Sequence, residues 1–157
     1  MARTARVITA LLFAIGALGA GAAAIWIASV SPGDGGGVIA RALWLVGDRL
    51  GAAVYAMLAV AALGAVALGW FAARGRRWPL VVAIAASPAG IALAWIARHL
   101  AAQMEDPHFR RKSPYVHAAT DVAIAATIYL ALLAISATVA LIAERRRAVS
   151  PVSAAPG

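Results

Sequence analysis

Cysteine is absent, lysine occurs once, and only six side chains are acidic. Without cysteine there are no disulfides, no thiolate metal sites and no thiol redox chemistry on the chain itself. Charged residues make up 13% of the 157, about half the share in a soluble domain, which excludes an ordinary soluble protein. Catalytic signatures are missing as well. The sequence has no glycine-rich phosphate loop, no HExxH, and no Ser-His pair or paired aspartates inside its apolar stretches. These gaps point to a protein that is not an enzyme and has no catalytic residues or resident organic cofactor.

What fills the chain instead is apolar: 64% of residues are hydrophobic. A helix needs about 20 apolar residues to cross about 30 Å of hydrocarbon at 1.5 Å per residue. Uncharged runs at 7–30, 50–73, 78–97 and 122–143 meet that length, the last span reaching back to about 118. None shows the alternation of a membrane β-strand. The expected fold is all-α, an integral membrane four-helix antiparallel bundle spanning residues 1–147. Residues 148–157, AVSPVSAAPG, have nothing to pack with and are expected to form a disordered tail. Arg3 and Arg6 ahead of the first run imitate a secretory signal. That run is longer than a signal core of about 7–15 residues, so an uncleaved first span is expected.

Arginine placement sets the expected threading. With both termini cytoplasmic, the inner face carries Arg3, Arg6, Arg74, Arg76, Arg77 and Arg145, Arg146, Arg147, eight bases against the single acid Glu144. The other face carries Arg41, Arg49, Arg98, Arg110, Arg111 and Lys112, offset by Asp34, Asp48, Glu105 and Asp106. The expected location is a bacterial inner membrane. Net charge is +8, yet the basic residues flank apolar spans, so they anchor the chain in lipid and nucleic acid is not an expected partner. Trp26, Tyr55, Trp95 and Tyr115 fall near the outer span ends, Trp70 and Trp78 near the inner ends, where such rings prefer the headgroup level. Tyr129 alone lies well inside a span.

Only a few residues join the second and third spans, which predicts an antiparallel hairpin with Pro79 in a tolerant first helical turn. The first outer loop opens with SPGDGGG and continues as VIARALWLVGDRL, a candidate interfacial helix or an early start to the second span. Small residues provide close-contact stripes: Gly16, Gly19 and Gly21 with Ala20 and Ala24, and Gly64 with Ala61 and Ala67. Pro88 removes a backbone hydrogen bond near the middle of the third span, and Gly90 adds no stiffness, so a kink is expected there.

Titratable chemistry concentrates between the third and fourth spans, in EDPHFRRKSPYVHAATD and the residues just before it. His99, His108 and His117, with Glu105, Asp106 or Asp121 as oxygen donors, suit zinc or copper by residue type, although their spacing matches no ligand motif. Asp121 and His117, four residues apart, with Arg98 as a charge partner, form a candidate ion or proton path. A solvated interfacial loop accounts for the same residues with no ligand at all.

The function expected from these features is that of an accessory or assembly subunit of a larger membrane complex, its partners being the bilayer and other membrane subunits or further copies of itself. The alternatives are a small homo-oligomeric ion- or proton-coupled transporter or channel using Asp121 and a helix break at Pro88, and a metal-binding outer loop.

Overall fold

A computed structural model describes residues 2–29, 52–103 and 114–149. Within them lie four helices: α1 (Ala2–Ser29), α2 (Ala52–Ala73), α3 (Trp78–Gln103) and α4 (Pro114–Val149). All four are long and apolar enough to cross a membrane, and the described residues form an all-helical four-helix bundle. The stretch before α2, including the candidate interfacial helix, and the tail after Val149 lie outside the described residues.

Three of the helices run well beyond their apolar stretches. α1 takes in Arg3 and Arg6, α3 continues through Arg98 and His99, and α4 extends from Pro114 past Arg147. Hydropathy marks only the part of a helix that prefers lipid. The backbone ladder continues into the polar layer wherever no breaker stops it.

α2 stops at a glycine. Gly75 has φ of 87°, the left-handed conformation that a residue without Cβ adopts at no steric cost. Its N–H donates to the carbonyl of Ala72 at 3.1 Å, and the N–H of Arg76 donates to the carbonyl of Phe71 at 3.1 Å, the paired bonds of a Schellman closure. Arg77 stands just before α3, its carbonyl accepting from the N–H groups of Leu80 at 3.0 Å and Val81 at 3.3 Å. Pro79 sits in that first turn, where its missing donor is harmless.

The packing order differs from the chain order. α1 packs broadly against α2, α3 against α4, and α1 against α4, whereas α2 and α3 touch little despite the tight turn between them. The ring contact between them, Phe71 with Trp78 at 5.4 Å between centroids, flanks that turn. The expected hairpin is therefore one of connection only, its two helices joined but hardly packed. The reason lies in the contacts themselves. Apolar burial gives helices little reason to associate in lipid, so close backbone approaches and polar anchors decide who touches whom. Those anchors lie on the other three helix pairs. Gly69 of α2 meets the Phe13 Cβ and the Ala10 carbonyl of α1, where an added Cβ would lie at 3.2 and 3.3 Å. Gly90 of α3 sits against Leu130 of α4, and Gly16 of α1 against Tyr129 of α4. Gly19, Gly21 and Gly64 face open space.

The core is small and lopsided. Ala5, Phe13, Ala72, Leu80, Ala83, Leu133, Ala137 and Ala140 form one cluster, drawn from the first half of α1, the last turn of α2, the first turns of α3 and the second half of α4. It therefore gathers near the end of the bundle that carries Arg6. Outside it the helices present large apolar side chains, such as Val60 and Leu63, each 70% exposed. That surface is suited to acyl chains.

Candidate functional site

Polar chemistry collects at the two ends of the bundle and on one seam between them. At the first end Glu144, near the close of α4, receives Nε of Arg6 on Oε1 and Nε of Arg77 on Oε2, the latter at 3.1 Å. The Arg6 and Glu144 side chains are each 13% exposed, whereas that of Arg77 is 64% exposed. Arg6 does more than pair. Its Nη1 donates to the carbonyls of Ala72 and Arg76, each at 3.2 Å, and so reaches the closure of α2. A cation at a helix C-terminus also meets the negative end of the helix dipole. One guanidinium thus ties the start of α1 to the end of α2, the turn before α3 and the end of α4. Those segments share one end of the bundle. Arg74, in the same turn, lies over the Trp70 ring at 4.2 Å.

Along the α1–α4 seam, polar groups inside the apolar layer find partners within the fold. Thr9, fully buried, places Oγ1 at 2.9 Å from the Ala5 carbonyl and 3.0 Å from Ser136 Oγ, which is in turn 3.0 Å from the Leu133 carbonyl. With one proton each, the two hydroxyls fill two of those three approaches, and each oxygen still takes part in at least one hydrogen bond. The Tyr129 hydroxyl donates to the Leu12 carbonyl at 2.8 Å, which accounts for the tyrosine found deep in a span. From Arg6 to Thr9 to Leu12, partners on α4 run backwards from Glu144 to Ser136 to Tyr129, as an antiparallel pair requires. Elsewhere Thr127 and Thr138 return their hydroxyls to the carbonyl four residues back. Among the described residues no buried side-chain nitrogen or oxygen lacks a hydrogen-bond partner.

Pro88 lies inside an α3 that is helical without interruption from Trp78 to Gln103. Beside it Ser87, almost completely buried, donates to the Ala83 carbonyl at 2.6 Å. The helix thus continues through the proline on both sides. Gly90 makes room for Leu130: a Cβ at that position would come within 2.7 Å of Leu130 Cδ1.

At the opposite end, Arg98 donates through Nε to Thr120 Oγ1 at 3.3 Å, and Trp95 donates through Nε1 to Thr127 Oγ1 at 3.1 Å, both joining α3 to α4. α4 has already begun at Pro114, so His117 and Asp121 stand one turn apart on one face, both exposed. The ion pairs found among the described residues are those of Glu144, and Asp121 belongs to neither. Arg98 meets the residue beside Asp121. His99 is exposed near the end of α3, while His108, Glu105 and Asp106 lie outside the described residues. Among the described residues no three histidines or carboxylates gather as a metal would need.

Sequence reasoning alone does not single out the seam or the Glu144 hub as sites. A signal for each was present: Glu144 is the lone acid amid eight arginines, and Thr9, Tyr129 and Ser136 are polar interruptions of apolar runs. No protein-family model matches the chain, and no similar curated protein or solved structure was found.

Proposed function

We propose that the chain is a non-catalytic membrane subunit, an accessory or assembly component of a larger complex in a bacterial inner membrane with both termini cytoplasmic. The observation that carries this is how the polar groups of the spans are used. Thr9, Ser87, Thr127, Tyr129, Ser136 and Thr138 each bond to backbone or to one another. Thr9 with Ser136, and Tyr129 with Leu12, join α1 to α4, while the other hydroxyls close onto their own helices; broad apolar faces on all four helices stay available to lipid or neighbouring subunits. Extraction in a mild detergent, followed by sizing and mass spectrometry of the intact particle, tests the proposal. A stoichiometric foreign membrane subunit is expected. A particle containing only this chain overturns it.

A second reading rests on Asp121. A carboxylate on a span costs about 2.5–3.5 kcal/mol at the centre and less near the interface, so it calls for a polar neighbour or water. Asp121 is exposed in a single copy, with His117 one turn away. A homo-oligomer conducting ions or protons past these two side chains supplies that neighbour. In proteoliposomes Asp121→Asn then abolishes flux while leaving the helices intact, and undiminished flux removes the idea.

A further inference from the structure

The arginine-rich end has more arginines than its carboxylate can neutralise. Eight arginines lie there, on the first turns of α1, the turn at 74–77 and the last turns of α4. Glu144 is the sole acid among them, and both its oxygens are already engaged by Arg6 and Arg77. It offsets one unit of charge. Spread along a sequence, such residues would mark only a threading preference. Here the hydrogen bonds of Arg6 to Glu144, Ala72 and Arg76 draw the three segments into one surface. Arg3, Arg74, Arg76, Arg145 and Arg147 are exposed on it, as is most of the Arg77 side chain.

Depth is set by the rings. The turn lies between Trp70, 56% exposed, and Trp78, with Phe71 packed against Trp78. Tryptophans exposed at a span end settle at the headgroup level. That places the guanidinium groups of Arg74 and Arg76 where lipid phosphates lie.

We propose that this end of the bundle binds the phosphate headgroups of anionic phospholipids, with Arg74, Arg76 and the exposed edge of Arg77 as the central contacts. A guanidinium presents a planar fork of N–H donors that matches phosphate oxygens two at a time. A zwitterionic lipid carries its own cation beside the phosphate and is repelled by the surplus positive charge. An anionic lipid has no such cation. Each basic residue near an anionic leaflet contributes about a fivefold preference.

Quenching of single tryptophans by brominated lipids tests this on the full chain. A W26F/W44F/W70F/W95F chain retains Trp78 alone, and a W26F/W44F/W70F/W78F chain retains Trp95 alone as a reference at the other end. Each is reconstituted into phosphatidylcholine vesicles containing brominated phosphatidylcholine or brominated phosphatidylglycerol. At Trp78 the anionic lipid is expected to associate at least fivefold more strongly than the zwitterionic one, with a ratio near one at Trp95. Adding R74Q/R76Q brings the Trp78 ratio close to one, R74K/R76K retains most of it, and 1 M salt reduces it by screening. Equal ratios at the two tryptophans, or a Trp78 preference that survives R74Q/R76Q, overturns the proposal. Equal ratios would leave an acidic protein segment as the occupant. Because the unsubstituted turn is compared at two tryptophans, that comparison remains decisive even if R74Q/R76Q misfolds.

Discussion

The Tyr129 hydroxyl of α4 occupies the place where any side chain at position 16 of α1 would begin. Gly16 and Tyr129 therefore act as a socket and its plug, with the plug also bonded to the Leu12 carbonyl one turn earlier. Gly16→Ala should destabilise the bundle by about 1–3 kcal/mol, the range for overpacking a close contact. Tyr129→Phe removes the colliding atom at a cost of about 1 kcal/mol for the lost hydrogen bond. With that oxygen gone, the nearest ring atom lies at 3.3 Å from the new Cβ. The double variant should then be more stable than the sum of the two losses implies, measured by reversible unfolding in mixed micelles. Strict additivity would separate the two residues.

Two glycines on α2 should behave oppositely. A methyl at Gly69 meets Phe13 and the backbone of Ala10 at 3.2–3.3 Å, and backbone cannot swing aside. Gly69→Ala should cost about 1–3 kcal/mol. At Gly64 the added carbon meets nothing within 4 Å, and alanine favours a helix over glycine by about 1 kcal/mol, so Gly64→Ala should leave stability unchanged or raise it. A thermal melt of both variants by circular dichroism settles the order, and a larger loss at 64 than at 69 would contradict the α1–α2 packing.

The two arginines on Glu144 should be unequal. Arg6 is mostly buried and also serves two carbonyls, so Arg6→Gln should cost about 2–3 kcal/mol. Arg77 is largely solvated, and Arg77→Gln should cost at most about 1 kcal/mol. In the Glu144→Gln background the Arg6 effect should shrink sharply while the small Arg77 effect disappears. A double-mutant cycle on detergent-solubilised protein provides the comparison. Equal costs for the two arginines would show that the hub is not organised by Arg6.

Threading can be read from single cysteines, because the native chain contains none. Cysteine introduced at Ser113 should react with an impermeant maleimide from outside intact cells, and cysteine at Ser150 only after permeabilisation. The reverse pattern would invert the proposed orientation while leaving the bundle unchanged.

The count and the rough extents of the helices were legible because crossing lipid imposes a length and an apolarity that few other structures share. Their arrangement was not. α2 is apolar on every side, so periodicity cannot say which face meets α1. The glycine stripes were equally ambiguous: Gly16 is used, Gly19, Gly21 and Gly64 are open, and the effective Gly69 belongs to neither stripe. A glycine becomes a contact only when a specific partner lies opposite, and the sequence does not print the pairing. The helix–helix hydrogen bonds were hidden for the same reason, since Thr9 and Ser136 stand 127 residues apart. His117 and Asp121 could be placed on one helix face from spacing alone, because a separation of four is local geometry.

The weak meeting of α2 and α3 has an effect on what one copy can enclose. A ring of four helices needs four seams, and this molecule closes three of them firmly, in the order α2, α1, α4, α3. Among the described residues the broad contacts thus run as an open chain of helices and not as a closed ring. On the described helices alone, a passage between α2 and α3 would have no closely packed seam to seal it.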